Sequence, residues 1–118
     1  EHMGKKENYS ASSQARLQLM MQYIHQKSAY NISLSDIADQ AKVSKSTALN
    51  LFQRYLGISP VTYLINYRLQ EAAKLLTATE KKVTAISKDT GFDSVDYFCK
   101  AFKKYYKLTP TEYRKKAQ

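Results

Sequence analysis

The sequence predicts an all-α fold of about seven helices, arranged as two tandem helix-turn-helix lobes joined by a linker helix. Three observations lead there. Apolar residues recur at helical spacing along most of the chain, and no stretch of convincing length alternates as a strand does. Serine, threonine, glycine and proline stand where helices must open or close. The chain also repeats itself. At a shift of 50 residues Ser44 falls on Ser94, Phe52 on Phe102, Tyr55 on Tyr105, Ser59 on Thr109, Pro60 on Pro110 and Tyr63 on Tyr113. Upstream, Ile37 matches Ile86 and Val43 matches Phe92 at a shift of 49, so the second unit carries one extra residue in its turn.

Residues 1–11 are polar and without hydrophobic period, which predicts a flexible tail; its leader Glu1-His2-Met3-Gly4 reads as a tag remnant. A first helix opens at Ser12 or Ser13, with Leu17, Met20, Met21, Ile24 and Ser28 on one stripe and His25 beside it as a packed or surface residue. A short helix over Leu34 to Ala41 follows, apolar at Leu34, Ile37, Ala38 and Ala41. After the turn Lys42-Val43-Ser44, a helix capped by Ser44 runs to Leu56 and is stopped by Gly57. Ser59 and Pro60 cap and start the next helix, expected to reach Leu76. It carries two apolar stripes, Leu64-Tyr67-Leu75 and Ile65-Leu69-Ala72-Ala73-Leu76, enough to serve two lobes. Beyond a polar connection over 77–82, a short helix spans Val83 to Thr90 and breaks at Gly91. Phe92-Asp93-Ser94 leads into a helix over Val95 to Tyr106, and Thr109-Pro110 opens a last one ending near Lys116. The expected division is 12–59 for the first lobe, 60–76 for the linker helix and 77–118 for the second lobe.

Each repeated unit is a short helix, a tight turn and a longer helix with a solvated face. A helix presented in this way fits the major groove of duplex DNA. A duplicated αα-hairpin without a ligand explains the aromatic and proline matches equally well. It does not predict that the outer faces of both second helices lack acidic clusters. On the first of these, Ala48, Phe52 and Tyr55 face inward, while Lys45, Ser46, Leu49, Asn50 and Gln53 face out. On the second, Phe98, Phe102 and Tyr105 are expected inward, with Val95, Asp96, Cys99, Lys100 and Lys103 outward. Beyond residue 94, seven cations (Lys100, Lys103, Lys104, Lys107, Arg114, Lys115, Lys116) oppose only Asp96 and Glu112.

Composition narrows the partner. With 118 residues and 43% hydrophobic content the chain can bury a core, and 19 Lys+Arg against 10 Asp+Glu give a net charge of +9. Such a balance points to a polyanion, either nucleic acid or an acidic membrane face. Membrane binding needs an exposed amphipathic helix, and the apolar stripes here are all required for the core. One cysteine, Cys99, allows neither an internal disulfide nor a thiolate metal cluster, and His25 alone makes no zinc site; no metal or cofactor is expected. No Gly-rich phosphate loop, Ser/His/Asp set or paired carboxylates appear, so the expectation is a non-enzyme. The absence of a secretory signal and of a membrane-length apolar run makes the cytoplasm the default location. Ten tyrosines raise stacking on single strands, but Tyr55, Tyr63, Tyr105 and Tyr113 occupy repeated positions that read as core.

The stretch Gly91-Phe92-Asp93-Ser94-Val95-Asp96-Tyr97-Phe98-Cys99-Lys100-Ala101-Phe102-Lys103-Lys104, with Leu108-Thr109-Pro110 and Tyr113-Arg114, resembles the signature of AraC/XylS-family bacterial transcription regulators. Arg68-Leu69, Ala72 and Leu75-Leu76 resemble that family's linker helix, and Ile37-Ala38, Phe52, Gly57 and Ser59-Pro60 its first unit. The resemblance covers about residues 15–116. It implies a sequence-specific double-stranded-DNA-binding domain whose two recognition helices enter successive major-groove segments, roughly one helical turn or about 34 Å apart. Base-facing residues would be Ser46, Leu49 and Asn50 in the first lobe and Val95, Asp96, Cys99 and Lys100 in the second. Phosphate contacts would come from Lys45, Thr47, Arg54, Arg68, Lys103, Lys104 and Tyr105, joined by the helix-opening amides near Ser44 and Ser94. RNA polymerase is a second candidate partner. A separate effector-binding or dimerisation domain, carried by many relatives, would lie outside this fragment. The alternative of another class is a helical protein-interaction module docking on the transcription machinery.

Two departures from the family pattern stand out. The family usually has leucine where Ala48 stands, with a polar residue next; here Leu49 follows. Either the helix rotates to bury Leu49, or Leu49 meets a thymine methyl. The family also often has glycine in both turns. Gly91 fits, but Lys42 holds the first-lobe site, where a left-handed lysine costs roughly 1–2 kcal/mol. Cys99 is either a small residue against DNA or a redox-sensitive thiol, with Lys100 and Lys103 expected to favour its thiolate.

Overall fold

A computed structural model of the chain describes residues 11–118; the leader Glu1-His2-Met3-Gly4 and all but the last residue of the expected tail lie outside them. The described chain is helical, with α1 Ala11–Lys27, α2 Leu34–Gln40, α3 Lys45–Leu56, α4 Pro60–Ala78, α5 Val83–Asp89, α6 Val95–Tyr106 and α7 Pro110–Ala117. It divides into two compact units. The first holds the chain up to Lys27 together with Ile32–Tyr63; the second holds Ser28–Asn31 with Leu64–Gln118.

In the first unit α1 packs on α2 and α3, and α2 on α3. Leu17, Met20 and Ile24 supply the buried stripe of α1, Ile37 and Ala38 that of α2, and Ala48, Leu51 and Phe52 that of α3. α2 opens with a capping box: the Ser33 amide donates to Asp36 Oδ2 at 2.9 Å, and the Asp36 amide to Ser33 Oγ at 3.1 Å. Two orphan amides of the helix start are thereby satisfied. The helix ends one residue earlier than the apolar pattern suggests, because Ala41 already serves as its buried C-cap. Lys42 then turns left-handed at φ 55°. Tyr63, the last residue of the unit, meets Phe52 edge-on at 5.6 Å and hydrogen-bonds His25 Nε2 through its hydroxyl at 2.7 Å.

In the second unit Leu69, Ala72, Ala73 and Leu76 of α4 form one core with Ile86, Phe92, Phe98 and Phe102. Leu75, assigned by spacing to the other stripe of α4, packs against the same cluster. α4 runs two residues past the expected Leu76. The reason is distant in sequence: Arg114 Nε donates to the Leu76 carbonyl at 2.9 Å and Nη2 to that of Thr79 at 3.2 Å, giving partners to carbonyls at the helix end.

One inward assignment on α6 is corrected. Tyr105 is not a core residue: it is 39% exposed, and its hydroxyl accepts from Gln70 Nε2 at 2.9 Å. Tyr106 takes the inward place, 4.7 Å from Phe102 and 5.0 Å from Tyr113. Helical period puts both tyrosines near the Phe98–Phe102 stripe; the ring of Tyr113, brought in by α7, selects Tyr106. Burial, followed by the neighbouring Tyr113 and Tyr105, pushes the Tyr106 phenol up to about 12.

Candidate nucleic-acid interface

α3 and α6 are each twelve residues long, and each is opened by a serine whose hydroxyl accepts the amide three residues on, Thr47 for Ser44 and Tyr97 for Ser94. The cap fixes where each helix begins and so which residues point away from the core. On α3, Ala48 and Phe52 are fully buried, while Lys45, Ser46, Leu49, Asn50, Gln53 and Arg54 are exposed. Leu49 remains 41% exposed, so the helix has not rotated to bury it. On α6, Phe98 and Phe102 are fully buried, Asp96, Lys100, Lys103 and Lys104 are exposed, and Val95 and Cys99 are half-buried at the edge.

The outward stripes correspond through the repeat. Ser46, Leu49, Asn50 and Gln53 on α3 fall on Asp96, Cys99, Lys100 and Lys103 on α6 at the same shift of 50. The first stripe is uncharged; the second carries two lysines and one aspartate. Gln53 spends an amide proton on the carbonyl of Gly57 at 3.1 Å, which ties it to the end of its own helix. Asp96 and Lys100 are four residues apart but form no ion pair, so both heads stay available.

The residues expected at phosphates divide in two. Lys45, Lys103 and Lys104 are exposed, and Tyr105 offers a partly exposed hydroxyl already held by Gln70. Arg54 is exposed at the end of α3. Thr47 is half-buried, its amide and hydroxyl both bonded to Ser44 Oγ at 3.1 and 3.0 Å. Arg68 is also half-buried: Nε donates to the Ser28 carbonyl at 2.7 Å and Nη2 to that of Tyr30 at 2.9 Å. Burial pulls the Arg68 guanidinium below its ordinary value, opposed by Asp93 and Tyr97.

The Cys99 thiol is shifted opposite to expectation. Burial raises it above its ordinary value and Asp96 raises it further. That favours the neutral thiol over the thiolate. Sequence reasoning passed over Tyr97, which stands 51% exposed in the first turn of α6, 6.2 Å from the Phe92 ring. The repeat itself held the signal, since Tyr97 falls on Thr47.

A family profile described as a helix-turn-helix domain matches residues 37–116. An uncharacterised helix-turn-helix-type transcriptional regulator of Haemophilus influenzae is 40% identical over 82 residues, covering 70% of this chain and 28% of that protein. A crystal structure of a Chromobacterium violaceum transcriptional regulator, described by its AraC-type DNA-binding domain, superposes with a TM-score of 0.85 at 30% identity, covering 92% of this chain and 96% of the other. The DNA-binding domain of AdpA, a global transcriptional factor solved in complex with a target DNA, superposes at 0.80 over 85% of this chain and 90% of its own; at 22% identity that likeness shows the fold alone. The chain spans well under half the length of curated relatives such as the Haemophilus influenzae regulator, of which it covers 28%, and the Msm operon regulatory protein of Streptococcus mutans, of which it covers 40%. With the profile covering both helix-turn-helix units and the Chromobacterium domain matched almost end to end, the chain belongs to the AraC/XylS family of helix-turn-helix transcription regulators.

Proposed function

We propose that this chain binds double-stranded DNA sequence-specifically, with α3 and α6 each lying in a major-groove segment. The observation that carries the reading is the repeated outward stripe: Ser46, Asn50 and Gln53 on α3 and their counterparts Asp96, Lys100 and Lys103 on α6 are all exposed, and each helix opens at a serine cap; only Cys99, the counterpart of Leu49, is half-buried against the core. In this reading Ser46, Leu49 and Asn50 face bases in one segment. Asn50 has the amide geometry for adenine N6 and N7, and Leu49 the apolar surface for a thymine methyl. Val95, Asp96, Cys99 and Lys100 face bases in the other segment, where Lys100 donates to guanine O6 and N7. Lys45, Thr47, Arg54, Lys103, Lys104 and Tyr105 hold the sugar-phosphate backbone without reading sequence. The net charge of +9 supports this division. An effector-binding or dimerisation region elsewhere in a longer protein, and contact with RNA polymerase, belong to the same reading.

The test is selection of bound sites from random duplex DNA, then footprinting and titration of the recovered site across a salt series. A recovered consensus, with log affinity falling against log salt by about 0.9 for each phosphate neutralised, is the expected result. No enriched sequence and an almost flat salt dependence would point instead to a protein-docking module.

A further inference from the structure

The guanidinium of Arg68 is committed to backbone before any ligand arrives. It takes the Ser28 carbonyl at 2.7 Å and the Tyr30 carbonyl at 2.9 Å, and its carbon lies 6.0 Å from the centre of the Phe92 ring. All of these residues belong to the second unit. Gly91 closes the same contact. A β-carbon there would lie 2.6 Å from the Ser28 carbonyl oxygen and 2.7 Å from Arg68 Nε, and the residue is left-handed at φ 103°. Segment 28–31, Arg68 and the Gly91-Phe92 turn are therefore fitted against one another with no room for a side chain at 91. The turn leads straight into the reading helix: Phe92 is buried, 5.0 Å from Phe98 and 6.2 Å from Tyr97 in the first turn of α6.

A second arginine does comparable work. Arg114 takes the Leu76 and Thr79 carbonyls with the same two nitrogens, Nε and Nη2. Both arginines thus use the fixed fork of the guanidinium to hold two carbonyls near the end of a preceding helix, a geometry that lysine cannot reproduce.

We propose that Arg68 is a positioning residue for base reading by α6 rather than a phosphate contact: by clamping segment 28–31 onto the Gly91-Phe92 turn, it sets the angle at which the opening turn of α6 is presented. The proposal rests on the DNA-binding reading above, but its first consequence is independent of DNA. Loss of the fork frees the turn, and the opening of α6 moves with it.

Two substitutions separate the roles. Arg68→Lys keeps the charge and loses the fork; Arg68→Ala loses both. In the free protein, amide hydrogen exchange over residues 91–97 should quicken in both variants, with residues 44–50 unchanged. Exchange at the wild-type rate in both would overturn the clamp whether or not the chain binds DNA. On the selected duplex, both variants should keep the wild-type salt slope. Both should lose about tenfold discrimination against base changes in the half contacted by α6, and none in the half contacted by α3. Arg68→Lys with wild-type affinity, beside Arg68→Ala with a slope reduced by about 0.9, would assign Arg68 to a phosphate and overturn the proposal. Equal loss of discrimination in both halves would reduce it to general destabilisation and overturn it too. Failure of the wild-type chain to select any sequence would sink the DNA-binding reading, while the exchange measurement still decides the clamp.

Discussion

Lys42, Gly57, Gly91 and Lys107 all hold left-handed backbone, at φ 55°, 74°, 103° and 68°. The two lobes fill the equivalent positions with opposite residues: lysine then glycine in the first, glycine then lysine in the second. A lysine in this region brings its β-carbon close to the backbone, whereas glycine does not. Lys42→Gly and Lys107→Gly should each raise unfolding stability by about 1 kcal/mol, the relief of strain being partly offset by the greater freedom of glycine in the unfolded chain. Chemical denaturation reads this directly, and unchanged or lower stability in Lys42→Gly would mean that the first turn is not strained by its lysine. Lys42→Gly should also leave base preference unchanged. In the other direction, Gly57→Ala meets nothing within 4 Å and adds only backbone strain, while Gly91→Ala also drives a methyl into the Ser28 carbonyl. Gly91→Ala should therefore be clearly the more damaging. Cys99 supports a chemical prediction at the same scale. Its raised pKa implies slower alkylation by iodoacetamide at about pH 8 than that of an unhindered thiol, and a faster reaction would show that the lysines control it after all.

At the level of the helix, the proposed DNA reading divides α6 along its length between base reading and phosphate holding. Lys100 lies mid-helix on the outward stripe, whereas Lys103 and Lys104 lie in the last turn. Lys100→Ala should weaken the selected site by about 1–3 kcal/mol and relax preference at one base pair. Lys104→Ala should weaken all sequences alike and flatten the salt slope by about one phosphate. Equal loss on specific and scrambled duplexes in Lys100→Ala would remove it from the base-reading set. α7 offers a pH-dependent test through its capping box, where the Thr109 amide donates to Glu112 Oε1 at 2.9 Å and the Glu112 amide to Thr109 Oγ1 at 3.1 Å. The Thr109 amide first, then its hydroxyl and the more distant Lys103, hold the Glu112 carboxyl below its ordinary 4.5. A carboxyl with a lowered folded pKa contributes stability that is complete above the unfolded value and is lost as pH falls through the folded value. The thermal stability of Glu112→Gln should therefore lie below that of the wild type near neutrality and converge on it in acid. A gap independent of pH would show that the carboxylate charge contributes nothing to the cap.

For the molecule as a whole, the two proposed recognition helices lie in one chain and repeat in sequence. The expected outcome is one chain per duplex on an asymmetric site, with a footprint longer than one major-groove segment. Sedimentation of the complex gives the stoichiometry, and hydroxyl-radical cleavage gives the extent. Two chains on a palindrome, or protection confined to a single groove segment, would contradict it.

The helices, their caps and the repeat were legible in the sequence because they rest on local physics. Ser44, Ser94 and Thr109 cap amides three residues away, Gly57 and Gly91 relieve left-handed turns, and the spacing of Phe98 and Phe102 sets one buried face. Most of the outward stripes followed from the same period, which is why Ser46, Leu49, Asn50, Asp96 and Lys100 stand exposed where spacing placed them. The left-handed Lys107 also had a local signal, since it falls on Gly57, but residue type hid it. What remained was decided by partners remote along the chain. Tyr106 rather than Tyr105 turns inward because Tyr113 waits on that side, and Arg114 reaches back 38 residues to the end of α4. Arg68 reads from sequence as one more cation for phosphate, yet the folded chain presents it with two carbonyls 38 and 40 residues away. Helical period specifies which side of its own axis a residue occupies; only packing brings in the neighbour that determines what the residue does there.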